Sequence, residues 1–71
     1  MTNKNELRAQ MARHEDTNQS LASALNIAIS TISEKINGKR DFTQKEIDFF
    51  KRRYNLTPEE IDVIFFASEV A

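Results

Sequence analysis

The sequence predicts an all-α domain of five short helices. Three observations carry this. One Gly and one Pro in 71 residues leave little material for tight turns or β-hairpins. Apolar residues recur at three- and four-residue intervals rather than alternating. Two Thr-x-x-Glu/Gln-type boxes, each flanked by apolar residues, mark helix starts in the second half.

The first helix is expected at about residues 4–13. Leu7 and Met11 share a face, and Asn3 with Glu6 has the spacing of a capping box. A second helix starts after Thr17, a good N-cap, and buries Leu21, Ala22 and Leu25. Asn26 follows as its stop, because Asn tolerates the left-handed backbone better than most residues. The third helix spans about 28–37, with Ile29, Ile32 and Ile36 spaced i, i+3, i+7. Gly38 ends it at a position that favours positive φ.

The fourth helix begins at the box Thr43-Gln-Lys-Glu46, with Phe42 and Ile47 as a hydrophobic staple, and buries Ile47, Phe50 and Tyr54. Thr57-Pro-Glu-Glu60 opens the fifth, with Pro at the first helical position and Leu56 and Ile61 as its staple. Ile61, Ile64 and Phe65 point inward. Val63, Phe66 and Val70 cannot all join them on one face. Exposed apolar area on this helix therefore points to a homodimer or a partner site, the plain alternative being a frayed end.

A chain of this length forms one domain, residues 1–71, and buries roughly 60% of its unfolded surface. It has no room for a deep substrate cleft, so neither a cofactor nor a small-molecule substrate is expected. With no cysteine there is no disulfide or thiolate metal site. His14, the one histidine, lacks the partners of a metal site and is placed beside the end of the first helix. The longest apolar run, Val63 to Ala67, is far short of a membrane span. The N-terminus has no apolar segment behind its charges, so no signal peptide is read and the expected location is the cytoplasm. No nucleophile–base pair is evident, and the chain is not expected to be an enzyme. Glu59 and Glu60 are adjacent, point apart, and are explained by capping.

The net charge of −1 is unevenly divided. Residues 1–54 hold ten Lys/Arg against seven Asp/Glu, while residues 55–71 hold four acids and no base. A basic working part with an acidic end is the reading.

The second and third helices are joined by only about two residues, near Asn26 and Ile27. Ala22 permits a close crossing, Ile27 plugs the turn and Ile32 anchors the third helix. This is the layout of a helix-turn-helix. Over about residues 5–68 the chain resembles the Cro/repressor family of phage and bacterial regulators. The stretch Thr17 to Lys39 carries the likeness, above all Ser33-Glu-Lys-Ile-Asn-Gly-Lys39, followed by Phe42-Thr-Gln-Lys-Glu-Ile47 and the late pair Phe65-Phe66. The resemblance implies a lambda-repressor-like domain, with the third helix as recognition helix, acting in a lysis–lysogeny switch.

It also implies roles for particular residues. Ile29, Ser30 and Glu34 fall on base-reading positions. Asn18 falls where the family usually has a phosphate-contacting Gln. Lys39, Arg40, Thr43 and Lys45 fall on the loop and helix start that grip the DNA backbone. Independently, helix-start amides with nearby cations form a natural phosphate site. The partner would be double-stranded operator DNA, bound as a dimer on half-sites one or more helical turns apart.

Several residues depart from the family pattern. Ala28 stands where a capping Ser or Thr is usual, so a cap worth about 1 kcal/mol is missing. Ile29 can pack on a thymine methyl but cannot read a purine edge, and Glu34 is repelled by phosphate. The early reading positions hold no Arg or Lys. A surface of this kind also suits a protein partner. Small phage antirepressors (modulators of repression) act on a partner phage repressor, covering its DNA-binding face. Two plainer readings stand beside these. Ile29 shares a stripe with Ile32 and Ile36 and could belong to the core, although those two suffice to dock a short helix. Lys51-Arg-Arg53 is read as a solvated run favourable to the dipole of its helix.

Overall fold

The structure is a computed structural model in which residues 2–66 are described. It contains α1 (Lys4–Arg13), α2 (Asn18–Leu25), α3 (Ile29–Ile36), α4 (Gln44–Tyr54) and α5 (Pro58–Phe65), with no strand among the described residues. Ala67, Glu69 and Val70, expected at the end of the fifth helix or just beyond it, lie outside the described residues.

The helix boundaries follow from side-chain caps. Thr43 Oγ1 accepts from Glu46 N at 3.2 Å, while Glu46 Oε1 accepts from Thr43 N at 2.8 Å. Thr57 and Glu60 repeat the arrangement. The staples close over both boxes: Phe42, Ile47 and Leu56 are buried, and Ile61 packs against the core from its edge. Ile61 is thus only partly inward, while Ile64 and Phe65 are buried as expected.

The first two helices differ in detail from expectation. Asn3 Oδ1 accepts from Glu6 N at 3.2 Å, but the reciprocal half of that box is replaced. Asn3 N instead donates to the Ile64 carbonyl at 2.7 Å, which ties the start of α1 to α5. A better partner for the amide has displaced the Glu6 side chain. At α2 the box is complete, but its second member is Ser20, which the Thr-x-x-Glu/Gln pattern overlooks.

Asn26 closes α2 at φ 57°, and Asn55 closes α4 in the same left-handed way at φ 53°. Gly38 sits at φ +84°, where its amide reaches Lys35 O and that of Lys39 reaches Glu34 O at 2.9 Å. The turn brings Arg40 back beside Glu34 of α3. Glu15 is also left-handed, at φ 57°, because Asp16 N bonds to Met11 O across it.

One cluster joins all five helices. Leu7, Leu21, Ile32, Ile36, Phe50 and Ile64 are its fully buried members. The aromatic part is built edge to face: Phe42 meets Phe50 and Phe65 with ring centroids 5.3 and 5.5 Å apart.

Candidate interaction surface on the third helix

α2 and α3 are joined by residues 26–28, one more than the sequence suggests. Ile27 fills the turn, packed against the core, and its amide bonds to Ala22 O at 2.9 Å. Ala22 is buried, which allows the two helices to lie close.

On α3, Ile32, Lys35 and Ile36 form the inner stripe. Ile29 continues that stripe in sequence yet remains 50% exposed. Helical side chains lean toward the N-terminus. A first-turn residue therefore leans past the helix end and finds no preceding turn to cover. Ser30 and Glu34 are exposed as well. The outer side of α3 thus presents an aliphatic group, hydroxyls and one carboxylate.

Lys39 and Arg40 are exposed beside this face. Arg40 Nη1 lies 3.7 Å from Glu34 Oε1, with both side chains about half in solvent. A pair this exposed adds little stability. Its consequence is local: the carboxylate on α3 draws on the cation nearest to it.

The start of α4 is closed by the capping box that its sequence marks. The Thr43 amide is taken by Glu46, and the Glu46 amide by Thr43 Oγ1. A carboxylate, not a vacancy, faces that amide. Glu46 is held in turn by Lys35 Nζ, at 2.6 and 2.7 Å from its two oxygens. Burial raises the Glu46 carboxyl, but Lys35 and the Thr43 amide outweigh burial and leave it below the usual carboxylate range. The Lys35 ammonium also lies 5.9 Å from the centre of the Phe42 ring. The second charge of α3 is therefore spent inside the protein. Sequence reasoning passed over Lys35, although its place beside Ile32 and Ile36 on the inner stripe marks it as a cation in need of a buried partner.

Lys45 is exposed on the outer side of α4. Asn18 is the first residue of α2 and is partly buried. The structure therefore gathers Ile29, Ser30, Glu34, Lys39 and Arg40 around α3, and gives Thr43 a capping role.

A second polar centre lay unread in the sequence. Asp16 accepts from Arg53 through two bonds of 2.8 and 2.7 Å, from Tyr54 Oη at 2.6 Å and from Ser20 Oγ at 2.8 Å. His14 caps α1 and stacks on the Tyr54 ring at 4.3 Å. Arg53 is thus an anchor, which corrects its reading as part of a solvated run. The partners lie 37 residues apart, and no local pattern marks such a pair.

Among the described residues, no group of His, Asp or Glu is placed to hold a metal, and no helix is long and apolar enough to cross a membrane. Comparison with protein-family models, curated proteins and solved structures finds no match for this chain.

Proposed function

We propose that the chain is a Cro/repressor-type helix-turn-helix regulator of a phage lysis–lysogeny switch, and that it works as an antirepressor in the host cytoplasm. In this reading α2 and α3 form the helix-turn-helix. The outer face of α3 docks on the positively charged DNA-binding face of a partner phage repressor. The observation that carries the reading is the half-exposed Ile29 on a face whose remaining charge is Glu34, with Lys35 turned inward to Glu46. An aliphatic anchor beside a carboxylate matches a basic protein surface. It repels a phosphate backbone, and it offers none of the Arg or Lys contacts that commonly read guanine.

Exposed Lys39, Arg40 and Lys45 favour a second reading, operator DNA bound directly through α3. One experiment separates the two. The protein is mixed with the repressor encoded at the same locus and passed over a sizing column, and its shift of operator DNA is measured at low salt. An antirepressor co-elutes, and Glu34→Lys abolishes co-elution. Unchanged co-elution of that variant discards the docking face. A DNA regulator shifts the operator, and Lys39→Ala and Arg40→Ala weaken the shift and flatten its salt dependence.

A further inference from the structure

We propose that the groove between α1 and α5 is a docking site for an extended segment of a different protein, one that carries a branched aliphatic residue flanked by lysine or arginine. No residue of α3 lines this groove, and the inference does not rest on the function proposed above.

On α1, Glu6, Gln10 and Arg13 recur at i, i+4 and i+7, which sets them along one side of the helix. On α5, Glu59 with Val63 and Glu60 with Ile64 repeat the four-residue step. Together they line a groove of about 220 Å3. That is below the roughly 300 Å3 at which small-molecule sites begin. It suits one side chain and the peptide unit that carries it.

Gln10 is the residue that points to a ligand. It is 7% exposed, and its carboxamide has no hydrogen-bond partner among the described residues. The other buried polar residue, Lys35, is bound to Glu46. No fully enclosed side-chain nitrogen or oxygen among the described residues lacks a partner, so the Gln10 amide keeps an opening to solvent through the groove it lines. A polar group drawn this far from water without a bond costs free energy, and a ligand recovers it. A carboxamide both donates and accepts. It therefore pairs in both directions with the N–H and C=O of a peptide.

The surroundings define the segment. Val63 is 50% exposed and forms an apolar wall, with the buried Ile64 beneath it. Three carboxylates face one guanidinium, that of Arg13. Glu60 is engaged by the Thr57 amide at 2.8 Å, whereas Glu6 and Glu59 are exposed and form no ion pair among the described residues. A cationic segment complements this charge, and an acidic one or a nucleic acid is repelled. A second copy has no such segment to offer. In this chain the branched aliphatic residues next to a Lys or Arg are Leu7 and Ile36, and both lie in the core.

Amide NMR of the full chain, titrated with a capped pentapeptide whose central leucine is flanked by two lysines, tests the proposal. Two further peptides carry glutamates for the lysines, or serine for the leucine. The lysine–leucine peptide is expected to move the Gln10 side-chain signals and the amides of Glu59 and Val63 saturably, and to leave Ile29 and Ser30 in place. The other two should bind several-fold more weakly. Gln10→Leu, which keeps the volume but loses both hydrogen bonds, should weaken binding about tenfold. Glu59→Gln should weaken it and flatten its salt dependence. Signal dispersion reports whether each variant is folded. A lysine–leucine peptide that moves no groove signal overturns the proposal, as does a glutamate peptide that binds equally well. Undiminished binding by folded Gln10→Leu or by Glu59→Gln overturns it too. Groove signals that shift with protein concentration alone would assign the groove to a second copy and overturn it as well.

Discussion

Asp16 shows what a single residue carries in so small a molecule. Its carboxylate receives four hydrogen bonds from α2 and α4 side chains, two of them from one guanidinium. The Arg53 guanidinium holds the carboxyl well below the usual range against the opposing effect of burial, with Tyr54 and Ser20 adding to it. Burial, and then Asp16 itself, push the Tyr54 phenol above its ordinary value. The sign for stability follows. A carboxyl depressed in the folded state contributes in full above the unfolded value of about 3.9, and the contribution is lost as pH falls toward the folded value. Asp16→Asn should therefore cost about 2–3 kcal/mol near neutral pH, the scale of charge-assisted bonds to a partly solvated cation. Urea melts compared across pH check this. The gap between wild type and variant should hold from pH 7 to about 5 and narrow below about 4. A gap independent of pH would mean that the Asp16 charge does not support the fold.

At the scale of elements, the caps were readable and the long ties were not. Thr43, Thr57 and Asn26 act within three or four residues of themselves, so their roles follow from spacing alone. Gly38 belongs with them, since positive φ after a helix is a local demand. Lys35 with Glu46, and Asp16 with Arg53, depend on how separate helices are laid against each other. Part of the candidate surface was legible for the first reason. Ser30 and Glu34 fall off the inner stripe of α3, whereas Ile29 falls on it and is left exposed by its place in the first turn. The engagement of the Thr43 amide by Glu46 was implicit in the very box that marks the helix start. α3 also keeps the one defect visible in sequence: Ala28 has cap geometry, φ −70° and ψ 149°, and no side-chain cap bond. Ala28→Ser should supply the missing acceptor and stabilise the chain by about 1 kcal/mol. Ala28 is exposed, so the hydroxyl meets no steric obstacle. Thermal melts measure the gain. No rise in melting temperature would show that the amides at the start of α3 are already satisfied by water.

For the whole molecule, the decisive fact is that the five helices share one core and Phe50 is its centre. The ring is fully buried and lies against Phe42, Phe49, Tyr54 and Phe65, with centroids 5.3 to 5.7 Å away. α1, α2 and α3 enter the same cluster through Leu7, Leu21 and Ile32, so none of them has a second core to fall back on. The α3 face and the groove between α1 and α5 are consequently presented by one body, and each depends on the interior for its position. A domain of this length has a net stability of only about 4–10 kcal/mol. Replacing a buried Phe by Ala costs about 3–5 kcal/mol, because the cavity collapses only in part. Phe50→Ala should therefore remove half or more of the total stability and leave a substantial unfolded fraction on mild warming. Phe50→Leu, which keeps most of the volume, should stay folded. Helical circular dichroism followed through a thermal melt distinguishes these outcomes. If Phe50→Ala lost less than about 1 kcal/mol, or lost α4 and α5 while α1–α3 stayed folded, the helices could not share a single cooperative core, and the α3 face would have to be supported by the first three helices alone.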